Sequence, residues 1–137
     1  MRRPDVTAEV LESRQAGSLP DRFHLKVTRI EDRRLDAELA IEPWMLAPNG
    51  FLHAATVLLL ADTAAGYACM AHLPAGARNF TTLELKSNFL GTAREGTIRT
   101  ECRAEHLGRT TQVWSATVFG PGDKTLALFR CTQMVLA

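Results

Sequence analysis

Alternating polar and apolar positions mark two segments early in the chain and several more in its second half, with one long apolar block between them. Phe23, Leu25 and Val27 share one face of the first segment. Leu35, Ala37, Leu39 and Ile41 share one face of the second, with Asp36, Glu38 and Glu42 opposite. A period of two with one polar face predicts half-buried strands, and Glu31-Asp32-Arg33 between them reads as a hairpin turn. Further on, residues 79–89 place Leu83, Leu85 and Phe89 on one face. Residues 97–107 set Ile98, Cys102 and Ala104 against Arg99, Glu101, Arg103 and Glu105, which puts His106 on the inward face. Gly108-Arg109 turns the chain into a strand over 111–119. Gly120-Pro121-Gly122-Asp123 is a second turn, and a last strand runs from about Thr125 to Val135.

The apolar block, residues 53–72, is rich in Ala and Leu and predicts a helix. Its apolar residues lie all the way round, as in a buried helix. It is long enough to span a bilayer, but Asp62 sits near its middle, only histidines flank it, and the amphipathic strands need an apolar element to cover. A short helix over residues 5–16, with Asp5 as its N-cap and Gly17 and Pro20 at its end, is expected within an N-terminal helical segment (1–20). The elements together predict one α+β domain over residues 1–137, an antiparallel sheet wrapped around one long helix.

Composition narrows the partners. With 16 Lys+Arg against 15 Asp+Glu the net charge is +1, which leaves no electrostatic footprint for nucleic acid or an anionic membrane. Cys69, Cys102 and Cys131 are widely spaced, form no CxxC pattern, and read as free thiols of a reducing cytoplasm. No apolar secretory run follows Met1. No two of His53, His72 and His106 have the i,i+3 or i,i+4 spacing of a metal site with Asp62. Trp44 and Trp114 are expected in the core or in subunit contacts.

Asp62 is the ionised side chain of the apolar helix. Burying a carboxylate is costly unless it is paired or hydrogen-bonded. It is either tied to a neighbouring hydroxyl or amide, or held in a water-poor cleft as nucleophile or general base. The helix start, Pro48-Asn49-Gly50-Phe51-Leu52-His53, has backbone N–H groups without intrahelical partners and small Ala54 and Ala55 beside them, which suits a developing oxyanion. His53 and Asp62 are nine positions apart, or ~13.5 Å along one helix. One carbonyl cannot reach both, so joint action requires a second copy with an antiparallel helix.

Gly50-Phe51-Leu52-His53-Ala54-Ala55, followed by Leu60-Ala61-Asp62-Thr63-Ala64, resembles the hotdog-fold acyl-CoA thioesterases of the phenylacetate-degradation type. Their pattern is G-x-x-H-G-G with an acid nine residues after the His. Asn88-Phe89-Leu90, Leu107-Gly108-Arg109-Thr110 and Ala127-Leu128-Phe129-Arg130 look like the family's later strand ends. The resemblance implies hydrolysis of an acyl-CoA thioester without metal or organic cofactor. Asp62 takes the carboxylate position and the Ala54 N–H the oxyanion position. His53 orients the helix start, and Thr82 falls where a hydroxyl positions water. The resemblance also implies a homodimer, and a dimer of dimers.

The chain departs from the family at three places. His53-Ala54-Ala55 replaces H-G-G. Ala47 stands where the family has Asn or Gln, with Asn49 as a substitute or a turn former. Gly91-Thr92 replaces Arg-Pro, which leaves Arg94 or Arg109 for the CoA phosphates. A non-catalytic CoA-binding or scaffold protein is the alternative; a hotdog dehydratase ranks below it.

Overall fold

A computed structural model describes residues 1–137. Thr7, extended at φ −104° and ψ 167°, accepts from the Val10 N–H and opens α1 (Ala8–Arg14). Asp5 is therefore not the cap. The Val6 side chain is buried in the core and its N–H donates to the Arg3 carbonyl, so residues 3–6 form a turn and the helix starts beyond it. Pro20 does not end that helix but lies in the first turn of α2 (Leu19–Arg22), where its missing N–H is harmless.

Strands β1 (Lys26–Glu31) and β2 (Arg34–Ala40) form the expected hairpin, with Arg33 in the left-handed region at φ 64°. Leu25, Val27, Leu35, Ala37 and Leu39 are buried. Phe23 precedes the strand and caps α2. The long helix α3 spans Ala54–Ala71 with His53 and His72 as its caps. It is followed by β3 (Asn79–Phe89), β4 (Thr97–Leu107), β5 (Thr111–Phe119) and β6 (Thr125–Leu136).

The six strands form one antiparallel sheet in the order β1-β2-β4-β5-β6-β3, which leaves β1 and β3 as edges. Helix α3 crosses one face and touches every strand from β2 to β6. Leu60, Ala64 and Ala68 of α3 join Leu35, Ile98, Trp114 and Leu126 in the core. Small helix residues permit this approach: a Cβ added at Gly66 would lie 2.9 Å from the Phe80 ring. This is the α+β arrangement that the hydrophobic pattern predicts. α3 is apolar enough to cross a bilayer, but its inner side is sheathed by the sheet.

One inward expectation fails. A bulge between Ala104 and His106 inserts one residue into β4 and turns His106 out to solvent. Trp114 is fully buried, whereas Trp44 is 56% exposed and meets Phe23 edge-on, with ring centroids 4.9 Å apart. Cys69, Cys102 and Cys131 are buried free thiols.

Candidate active site

The start of α3 is built by a tight loop. Asn49 Oδ1 accepts from the Phe51 N–H at 3.2 Å, and the Ala47 N–H donates to the Phe51 carbonyl at 2.7 Å. Asn49 is thus a turn former here. Gly50 has φ 88°, a conformation L side chains rarely adopt. His53 is extended at φ −64° and ψ 135°, and its Nδ1 accepts from the Ala55 N–H at 2.9 Å. Its carbonyl accepts from the Thr56 N–H, while the Thr56 hydroxyl donates to the Met45 carbonyl. Ala54 and Ala55 are both exposed. The Ala54 N–H donates to no atom of the chain. One amide at the positive end of the dipole is therefore open to a ligand.

A cation packs on the loop that leads into this helix start. The Arg94 guanidinium lies 4.5 Å from the Phe51 ring centroid, and the Leu52 N–H donates to the neighbouring Ala93 carbonyl at 3.0 Å. Arg109 does not join it. The β4–β5 turn places Arg109 in a groove with Pro74, Ala75 and Ala77, beyond the other end of α3. Of these two arginines, Arg94 is the one near the helix start within one chain.

Asp62 lies on the outer stripe of α3 with Leu58, Leu59, Thr63, Tyr67 and Met70, all partly exposed. Its Oδ1 is buried and has no hydrogen-bond partner. Burial raises the carboxyl above its ordinary value of 3.8, because the charged form loses water and gains nothing in exchange. Two clefts meet at this side chain. One, of about 410 Å³, is mostly apolar and includes Phe23, Ala55, Leu58, Leu59 and Leu85. The other, of about 340 Å³, is more polar and includes Thr63, Gly66, Tyr67 and Thr82. Thr82 Oγ1 donates to Gln133 Oε1 at 2.7 Å, and Gln133 Nε2 approaches Cys131 Sγ at 3.4 Å. The Thr82 proton is engaged, but its lone pairs remain available.

Asp62 and Thr82 thus share a cleft, while His53, Ala54, Asn49, Gly50 and Arg94 cluster at the helix start. Ala54 and Asp62 are eight positions apart on one helix, or ~12 Å. Sequence reasoning missed the wall that α1 and α2 contribute: Arg14, Gln15, Ser18 and Pro20 all line the polar cleft. Leu59, Thr63 and Tyr67 follow each other at i,i+4 on the stripe that holds Asp62, but that spacing does not say which segment covers it.

Residues 49–127 match the model of the thioesterase superfamily. The chain is 28% identical over 134 residues to a 1,4-dihydroxy-2-naphthoyl-CoA hydrolase of Escherichia coli (strain K12), covering 96% of each chain. A crystal structure of a mutant thioesterase from Pseudomonas aeruginosa superposes with a TM-score of 0.92 at 28% identity, over 98% of this chain and 97% of that one. The PaaI protein of the E. coli phenylacetic acid degradation operon superposes with a TM-score of 0.82 over 92% and 90%. At 20% identity that likeness is one of fold.

Proposed function

The chain belongs to the thioesterase superfamily and is a thioester hydrolase with the hotdog fold, and we propose that it cleaves acyl-CoA at a site shared by two copies of the chain. The carrying observation is the Asp62 carboxylate, buried at Oδ1, unpartnered, and set where two clefts meet. Asp62 acts on the thioester carbonyl as a nucleophile, or takes the proton of an attacking water. The oxyanion that forms accepts from the partner subunit's Ala54 N–H, held at the helix N-terminus. If Asp62 attacks, collapse expels the CoA thiolate and leaves a mixed anhydride on Asp62, which one water then hydrolyses to the free acid and the carboxylate. If Asp62 is the base, the water adds directly and its proton passes from Asp62 to the departing sulfur. Thr82 offers its lone pairs to the water. Arg94 meets CoA phosphates, a role supported by its contact with Phe51 in the loop before α3, and no cofactor takes part.

Support for a shared site comes from distance and from the surface. The open amide and the carboxylate of one helix are too far apart for one carbonyl. The edge strand β3 leaves Leu83 51%, Leu85 41% and Phe89 47% exposed. A second copy at that edge would bring its own helix alongside. Two such pairs would form the dimer of dimers, which sedimentation distinguishes from a dimer.

An acyl-CoA panel with Asp62→Ala tests the chemistry; turnover undiminished in that variant would overturn it. Ala54→Pro tests the sharing. Proline at this first helical position removes only the open N–H, and the extended His53 before it is already compatible with proline. Each variant alone is expected to be impaired. Mixing the two should restore activity, since one site of a mixed dimer then carries neither lesion. A second reading, a CoA-binding scaffold, is favoured by Ala54-Ala55 in place of paired glycines. Saturable CoA binding without turnover of any thioester would establish it.

A further inference from the structure

The polar cleft has a feature that thioester cleavage does not use. It runs from Asp62 along α3 to Met70 and Asn79, about two turns of helix away. Its outer wall is the N-terminal segment, fixed to α3 through Gln15: the Tyr67 hydroxyl donates to Gln15 Oε1 at 2.5 Å, and Gln15 Nε2 donates to the Leu25 carbonyl at 2.9 Å. Burial pushes the Tyr67 phenol up to about 12, so it keeps its proton, and that proton is held by Gln15. The Ser18 hydroxyl is likewise engaged, by the Gln15 carbonyl.

What remains unengaged around the cleft is a set of donors. Asn79 Oδ1 accepts from the Phe80 N–H, which leaves the Asn79 amide N–H groups free. Arg14 forms no ion pair with any carboxylate of the chain. It is the only cation lining the cleft, and Asp62 is the only acid. A cavity with unengaged donors, a lone guanidinium and an acid at the reacting end fits a ligand whose remote end is acceptor-only and anionic.

We propose that this cleft selects acyl groups that carry a carboxylate at the end remote from the thioester, and that Arg14, assisted by Asn79, is the specificity-determining residue. The inference rests on the reading of Asp62 as the catalytic carboxylate, because that places the thioester at one end of the cleft and Arg14 along its wall. Arg14 lies on α1, outside the stretch that matches the superfamily model, so the preference belongs to this chain's own N-terminal segment.

The test compares kcat/KM for acyl-CoAs of equal chain length with and without an ω-carboxylate, such as adipoyl-CoA and hexanoyl-CoA, in the wild type, Arg14→Met and Arg14→Lys. The wild type should prefer the carboxylated substrate by about tenfold, as expected for a charge-assisted pair. Arg14→Met should abolish that ratio, chiefly through KM for the carboxylated substrate, and Arg14→Lys should restore part of it. Turnover of both substrates without preference, or a ratio unmoved in Arg14→Met, overturns the inference and leaves the thioesterase reading standing. No turnover of any thioester overturns both.

Discussion

Asp62 and His72 are ionisable groups of the same helix, and the molecule treats them in opposite ways. His72 caps the C-terminal end of α3 and is fully supplied with partners. Its Nδ1 meets the Ala68 carbonyl at 2.7 Å and its Nε2 accepts from the Arg33 N–H at 2.8 Å. Its own carbonyl accepts from Gln112 Nε2, and Gln112 Oε1 accepts from the buried Trp114 indole. Asp62, ten positions earlier, has a buried oxygen with no partner at all. A buried polar group with every bond made holds the helix against the sheet. One left short of partners costs stability, and it persists where its reactivity is useful.

The largest expected effect comes from breaking that contrast at Asp62. Asp62→Asn should lower kcat by about 10²–10⁴-fold, the range typical of a general base, yet make the protein more stable at neutral pH. The folded state raises the Asp62 pKa above 3.8, so folding is helped while the group is protonated. That help is lost as pH rises from 3.8 through the raised value. Above it, wild-type Asp62 is ionised against the preference of its surroundings, and asparagine escapes this cost. Thermal melts at pH 7 and pH 4 should show the variant's advantage shrinking on acidification. A variant less stable than the wild type at pH 7 would mean that Asp62 has partners after all.

The same contrast explains which features were legible in the sequence. The stripe of Leu35, Ala37 and Leu39 and the apolar block over 53–72 were legible because burial imposes periodicity on a strand and composition on a buried helix. Asp62 stood out because its neighbours are apolar. His106 was misplaced because one inserted residue at a bulge reverses every later face, and nothing in the alternation before it announces the insertion. Asp5 is the expected cap of α1 and Thr7 caps it instead; the buried Val6 side chain decides it, and its burial is a tertiary fact. The separation of Arg94 from Arg109 and the α1 wall of the cleft were equally beyond reach. Each joins segments distant in sequence, and periodicity carries no information about such contacts.

At the satisfied end of the helix the expected effect is on stability. Gln112→Leu removes the acceptor of the Trp114 indole and the donor to the His72 carbonyl. Leaving buried groups unpaired costs about 1–3 kcal/mol, so Tm should fall by several degrees. The change lies away from both clefts at Asp62, so kcat of the folded fraction should stay at the wild-type level. A loss of kcat matching that of an Asp62 variant would show that the two ends of α3 are coupled, and would undo the distinction between them.

The smallest expected effect is the titration of His72 itself. Burial lowers its pKa below the ordinary 6.5, outweighing the help of the Ala68 carbonyl; the chain's N-terminal amine and Arg2 push the same way, while Asp32, 3.8 Å from Nε2, pushes against it. The unfolded chain therefore takes up this proton first. Stability contributed by neutral His72 is complete above 6.5 and is lost as pH falls from there through the lowered folded value. Protonation would also turn Nε2 from the acceptor of the Arg33 N–H into a donor facing a donor. Wild-type Tm should accordingly decline as pH drops below 6.5, and His72→Gln, less stable at pH 8, should lack that part of the decline. This slope is opposite in sign to the one expected from Asp62, because one group resists gaining a charge on acidification and the other is relieved of one. A His72→Gln melt that keeps the full wild-type slope would assign the acid sensitivity to other groups and leave His72 as an uncharged cap alone.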